Sequence, residues 1–210
     1  MDANLMQRAH LWRAKDLSPS TERGLASGFA ELDALLPSQG WPVGALTEIL
    51  SAHQGIGALS LVMPALVCLS SEQRWITWVA PPYIPYAPAL AEQGMELSRV
   101  LVVHERKNRD TLWALEQALR SGACSAVLGW LPKIDSRALR RLQLAAEAGA
   151  SWGLLFRPLE AMSEASPAAL RLQVSPSAGE LGVQVLKCRG GWAGGSTRID
   201  VRERRRMLDS

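Results

Sequence analysis

Ala45-Leu46-Thr47-Glu48-Ile49-Leu50-Ser51-Ala52-His53-Gln54-Gly55-Ile56-Gly57-Ala58-Leu59 is the stretch that decides the fold class. Its first half is a short apolar run bounded by Gly44 and Ser51, which predicts a buried strand over 45–50. Gly55 and Gly57 punctuate it, and Leu59, Val62, Leu66 and Leu69 then recur at helical spacing. Strand, glycine turn and helix in that order form the unit in which α/β proteins hold a phosphate. The working loop is G-x-x-x-x-G-K-[ST]: backbone amides cradle the phosphates, the Lys neutralises them and the hydroxyl holds magnesium. With Gly57 as the second glycine, the Lys slot holds Ala58 and the hydroxyl slot Leu59; with Gly55 there, the Lys slot holds Ile56. Neither register supplies the cation or the metal ligand. Ser51, Gly55 and Gly57 therefore mark a degenerate phosphate loop, from which no cofactor, metal or catalytic residue is expected. Backbone amides at the helix start could still attract an anion.

Outward from this unit the pattern repeats. Apolar runs at 75–80, 100–103, 126–131 and 152–156 predict further strands. Residues 86–94 suggest a short helix. Asp110 or Thr111 is the expected cap of a helix bearing Leu112, Leu115, Ala118 and Leu119, stopping at Gly122. Ser136 is the expected cap of the next, with Leu139, Leu142 and Ala146 inward and Gly149 as its stop. Strands alternating with helices imply βαβ units and a mostly parallel central sheet flanked by helices. After Pro167 the style shifts: strands at 170–174, 182–187 and 197–201, joined by Gly and Ser turns, predict an antiparallel C-terminal extension. Residues 1–15 have helical spacing, with Leu5, Met6, Ala9 and Trp12 near one face, and 17–27 reads as a linker.

A hydrolytic site of this type also needs acids at strand ends. The second strand ends Ala80-Pro81-Pro82-Tyr83 and the fourth Leu128-Gly129-Trp130-Leu131, with no acid in either place. His10, His53 and His104 lack metal-ligand spacing, and Cys68, Cys124 and Cys188 are too scattered for a disulfide framework or a metal knuckle. At 48% hydrophobic and 20% charged, the chain is not a disordered one. Its 210 residues suit one domain burying about 70% of its unfolded surface. No apolar run reaches the roughly 18 residues of a membrane span, and Met1-Asp2-Ala3-Asn4 does not open a secretory signal. A cytoplasmic protein is expected.

The net charge is +3, and 19 of the 23 basic residues are Arg. Arg198, Arg202, Arg204, Arg205 and Arg206 cluster near the C-terminus, against Asp200 and Glu203, and could contact DNA phosphates or an acidic partner. Trp75, Trp78, Trp130 and Trp152 fall in strands and are expected to fill the core. Trp41 and Trp192 lie beside Gly or Pro, where packing competes with partner anchoring.

Three sets of residues carry a family resemblance. Leu32-Asp33 with Gly40-Trp41-Pro42-Val43-Gly44-Ala45-Leu46-Thr47-Glu48-Ile49 resembles the lead-in to the phosphate loop of RecA recombinases. Val183-Gln184-Val185-Leu186-Lys187-Cys188-Arg189, within 182–201, resembles the end of the RecA core. Leu119-Arg120-Ser121-Gly122-Ala123-Cys124-Ser125-Ala126-Val127-Leu128-Gly129-Trp130-Leu131, with 153–158, resembles the cell-division inhibitor SulA. The combination resembles the ImuA family, RecA-like and SulA-related accessory proteins of bacterial mutagenesis cassettes. The resemblance implies a RecA-like core over 28–201, an N-terminal helix and linker over 1–27 and a basic tail over 202–210. It implies a non-catalytic assembly factor of SOS-induced translesion DNA synthesis. Its partners would be an ImuB-type inactive relative of the Y-family polymerases, an error-prone DnaE-type polymerase and RecA, with a second copy of the chain as a further candidate. In RecA, a basic pair in the matching segment reaches the ATP of the adjacent protomer; Lys187 and Arg189 fall on that pair. Leu5, Leu11 and Trp12 match a helix that in RecA packs on the neighbouring subunit.

Two other readings stand beside this one. A SulA-like inhibitor binding the division protein FtsZ is supported by the SulA-like stretch, and the fuller RecA-like frame ranks it second. A DNA-dependent ATPase of the RecA class is opposed by the missing Lys and acids.

Overall fold

The structure is a computed structural model, and it describes residues 24–201. Its frame is one eight-stranded sheet in the order β3-β2-β4-β5-β1-β6-β7-β8. The strands are β1 (Leu46–Ser51), β2 (Trp75–Val79), β3 (Val100–Val103), β4 (Cys124–Trp130), β5 (Trp152–Pro158), β6 (Leu170–Ser177), β7 (Glu180–Cys188) and β8 (Ser196–Ile199). The first six in that order run parallel, and β7 and β8 add antiparallel. The mixed α/β class expected from the sequence is present, with the central strands buried on both faces.

Helices α1 (Ala30–Asp33), α2 (Ala58–Ser70), α3 (Ala87–Glu92), α4 (Asn108–Arg120) and α5 (Ser136–Gly149) complete the fold. α2 lays Leu61, Val62, Leu66 and Leu69 on one face of the sheet, where Ile49, Ile76, Trp78 and Leu128 meet them. α4 and α5 lay Leu115, Leu119, Leu139 and Leu142 on the other face, against Leu46, Val127 and Leu155. Leu25 forms a bridge with Trp41, and buried Trp41 packs on Trp152 with ring centroids 5.2 Å apart. Trp41 is thus a core residue. Trp192 is 92% exposed in the turn between β7 and β8.

Two helix caps differ from expectation. α4 begins at Asn108 with Lys107 as its N-cap, so Asp110 and Thr111 lie inside its first turn; the Thr111 hydroxyl donates back to the Lys107 carbonyl. α5 is capped by Asp135, whose carboxylate accepts from the Ala138 amide at 2.7 Å, and Ser136 is the first helical residue. An ionised oxygen outcompetes the neighbouring hydroxyl for that amide. Gly149 is the last residue of α5, and Ala150 takes the left-handed turn (φ 45°). A Cβ at Gly149 would fall on the Leu119 carbonyl oxygen, so the glycine serves close helix approach.

Among the described residues no helix is long and apolar enough to cross a membrane. Residues 1–23 and 202–210, which hold Leu5, Leu11, Trp12, Arg202, Arg204, Arg205 and Arg206, lie outside the described residues.

Candidate functional site

The turn after β1 reaches α2 through Gly55 (φ 80°) and Gly57 (φ 103°), and Gly57 is the N-cap of α2. Left-handed backbone at both positions is natural for glycine and costly for other residues. Ala58 and Leu59 then occupy the first helical turn, in the slots where a phosphate loop carries Lys and a hydroxyl. This turn forms one wall of a cleft of about 530 Å³ at the carboxyl ends of β1, β2, β4 and β5. That edge is where open α/β sheets bind their ligands.

The cleft is lined by side chains of the wrong chemistry for a magnesium nucleotide. Trp130 bridges Trp78 and Phe156, with ring centroids 5.8 Å and 4.9 Å away, the Phe156 pair stacked. Pro81, Pro82, Pro85, Pro132 and Pro158 also line it, with Ser51, His53, Gln54 and Ser60 on the side of the turn. Ala80 turns left-handed (φ 49°) at the end of β2, and the loop beyond it exposes Tyr83 (75%) and Ile84 (82%). Among the described residues, no carboxylate lines the cleft, and the sole formal cation there, Arg157, is buried and tied to acids of its own chain. Such a surface excludes water from an apolar partner and has little to offer a triphosphate.

Beneath the cleft lies a buried ionic network. Glu48 is fully buried in β1, directly across from Arg171 of β6. One of its carboxylate oxygens accepts from Arg157 Nη1 at 2.8 Å, and the other lies 2.8 Å from Arg171 Nε. Arg157 also reaches Glu164 at 2.7 Å. Arg171 donates to the carbonyls of Ala161, Met162 and Glu164, and so holds the segment after β5 over the sheet. The sequence signal was available: charged residues interrupt the apolar runs of β1, β5 and β6.

The remaining candidate residues sit elsewhere. Lys187 is near the end of β7, at the opposite end of the sheet from the Gly55–Gly57 turn, since Arg171 pairs with it at the start of β6. Its Nζ donates to the Ser166 carbonyl at 2.6 Å. Partial burial, and then the nearby Arg189 and Arg171, pull its pKa below the usual lysine value. Arg189 pairs with Glu147 at 3.3 Å and donates to the Pro167 carbonyl. Both cations thus engage their own chain. Arg198 is exposed on β8, across from Gly182, on an open polar face with Gln173, Ser175 and Gln184. Tyr83 and Ile84 were not among the expected site residues; their signal was an apolar pair between prolines.

Comparison with known proteins adds what geometry cannot. Residues 44–153 match the family model described as cell division inhibitor SulA. The cell division inhibitor SulA of Edwardsiella piscicida is 40% identical over 103 residues, 49% of this chain and 61% of that protein. Those of Yersinia enterocolitica and Yersinia pestis are 31% and 32% identical over 116 residues, 55% of this chain and 69% of each. The crystal structure of SulA from Pseudomonas aeruginosa aligns with 56% of this chain and 99% of its own, at 31% identity and a TM-score of 0.47.

The matches correct the functional expectation. An accessory role in translesion synthesis, with an ImuB-type protein, a DnaE-type polymerase and RecA as partners, is overturned: the relatives that match are cell division inhibitors. The RecA-like flanking segments outweigh the SulA-like stretch when the sequence is read alone, yet the family match runs from the lead-in of β1 into β5.

Proposed function

The chain belongs to the SulA family, and from that premise we propose that it is a non-enzymatic cell division inhibitor, made in the SOS response, that binds the division protein FtsZ. The observation that carries this reading is where the family match falls. Residues 44–153 include the turn, the aromatic cluster apart from Phe156, and the Tyr83–Ile84 loop, hence most of the cleft. An apolar, aromatic-walled surface free of carboxylates suits a protein partner, and it does not suit nucleotide hydrolysis. FtsZ would seat on this edge, with Tyr83 and Ile84 as exposed anchors.

The strand order, with a glycine turn after β1, supports a RecA-like ancestry for the 28–201 unit, flanked by segments 1–27 and 202–210. The finer likeness to ImuA rests only in part on residues outside the family match, at 32–33, 40–43 and 182–201, and bears on ancestry rather than on partners.

The test is inhibition of FtsZ assembly by the purified full chain, followed by sedimentation. Equimolar protein should suppress polymer, and overexpression should give filamentous cells rescued by a resistant FtsZ variant. Tyr83→Asp with Ile84→Asp, both at exposed positions, should weaken inhibition at least about tenfold, the size of a lost anchor. Polymer unaffected by the unmodified chain would refute the reading. Full inhibition by the double variant would move the interface away from the cleft.

A further inference from the structure

The helical face opposite α2 carries a second surface. α4 and α5 lie side by side, joined where Arg141 of α5 pairs with Glu116 of α4 at 2.7 Å. Arg109 and Trp113 are one turn apart on α4 and share a face. Arg137, Arg140, Arg141 and Leu144 follow one another along the exposed side of α5. Trp113 is 64% exposed and Leu144 50%, so each of the two helices presents a large apolar group to solvent on this side.

The charges on this face are unequally committed. Glu116 serves both Arg120 and Arg141, Asp135 caps α5, and Glu147 takes Gln143 and Arg189. Among the described residues, Arg109, Arg137 and Arg140 form no ion pair. Arg109 and Arg137 also stand in the first turns of their helices, where the helix dipole disfavours a cation. On this face, among the described residues, Glu116, Asp135 and Glu147 are engaged within the chain, Asp110 is the one acid left over against three cations, and with two apolar side chains the surface is complementary to acidic, partly apolar polypeptide.

We propose that the α4–α5 face, through Arg109, Trp113, Arg137, Arg140 and Leu144, docks an acidic amphipathic segment of a partner protein. The acids interspersed on the face favour this occupant over nucleic acid. A phosphate backbone presents uniform negative charge and would run past Asp110, Glu116 and Asp135, whereas a peptide places its carboxylates only where cations stand. Trp and Arg are also the side chains that most often anchor protein interfaces. The inference does not depend on the FtsZ reading, because it uses a surface apart from the Tyr83–Ile84 anchors.

The probe is a fluorescein-labelled helical peptide of Glu, Leu and Ala, about 20 residues and about 30 Å long, titrated by anisotropy against the full chain. Binding should occur at low ionic strength and weaken with salt. Arg137→Glu with Arg140→Glu should lower affinity at least about tenfold, and Trp113→Ala several-fold. The charge-reversed pair should instead bind the matching Lys, Leu and Ala peptide, which shows that it is folded. A chain with Arg204, Arg205 and Arg206 changed to Gln should bind the acidic peptide as before. The proposal fails if the acidic peptide is not bound, if the α5 reversal leaves binding unchanged, if binding follows the tail charges, or if an oligonucleotide of equal charge binds more tightly.

Discussion

Glu48 is a carboxylate in the middle of an apolar strand, with no exposed surface. Alone, such a charge would be too costly to bury. It is tolerated because Arg171 stands opposite it and Arg157 lies diagonal on β5, within reach of the same face. Replacing the whole network with apolar groups could be neutral, since desolvation offsets much of the attraction. Removing one member is different, because the guanidinium groups left behind keep their desolvation cost. Glu48→Gln is therefore expected to destabilise the protein by about 3–5 kcal/mol, read from urea unfolding. A loss under about 1 kcal/mol, the scale of an exposed pair, would mean that water or another acid compensates Arg157 and Arg171. The same change should loosen the segment Leu159–Ser163, whose carbonyls are held by Arg171, and speed hydrogen exchange there.

The ends of the helices show how far local sequence carries. The Asp135 carboxylate meets the Ala138 amide in a charge-assisted bond at the positive end of α5. Asp135→Ala is expected to cost about 1 kcal/mol in thermal or urea unfolding, while Ser136→Ala should be nearly silent. Equal costs would return the cap to Ser136. Asp135 and Ser136 are both good caps by type, and choosing between them needs the backbone, which is extended at Asp135 (φ −80°, ψ 161°) and already helical at Ser136. The strands and larger helices were legible because their apolar periodicities are local: 100–103 coincides with β3, and the alternation correctly gave a mostly parallel sheet with an antiparallel end. The ionic network was not, because three charges in three distant strands acquire meaning only when β5, β1 and β6 become neighbours. Gly149 was legible as a helix end, yet its reason, contact with the α4 backbone at Leu119, belongs to the packing of two helices. Tyr83 and Ile84 were hidden for a related cause: an apolar pair between prolines marks a loop, but its exposure beside the cleft is decided only by how that loop leaves the sheet.

At the scale of the molecule, the degenerate loop and the basic pair lie at opposite ends of the sheet. The Gly55–Gly57 turn lies at one end, and Lys187 and Arg189 at the other, held by Ser166, Pro167 and Glu147. A phosphate loop is more than its own residues; it requires carboxylates at neighbouring strand ends and a surround that tolerates charge. Here the surround is Trp130, Phe156, prolines and the exposed Tyr83–Ile84 pair, so the site differs from a phosphate site as a whole and not only in its loop. Ala58→Lys with Leu59→Ser restores the local pattern and nothing else. That variant is expected to gain at most weak, salt-sensitive affinity for ATP, because one cation and the helix amides attract phosphate while the strand-end carboxylates that complete a magnesium site stay missing. Its phosphate release in the presence of magnesium should remain at background. The ammonium introduced at position 58 would also stand beside the apolar cleft, so if FtsZ seats there as proposed, inhibition of its assembly should weaken in the same variant, a second readout on the same edge. Measurable ATP turnover would show that the remainder of the site stays competent, and that the missing cation and hydroxyl are the whole of what separates this fold from an ATPase.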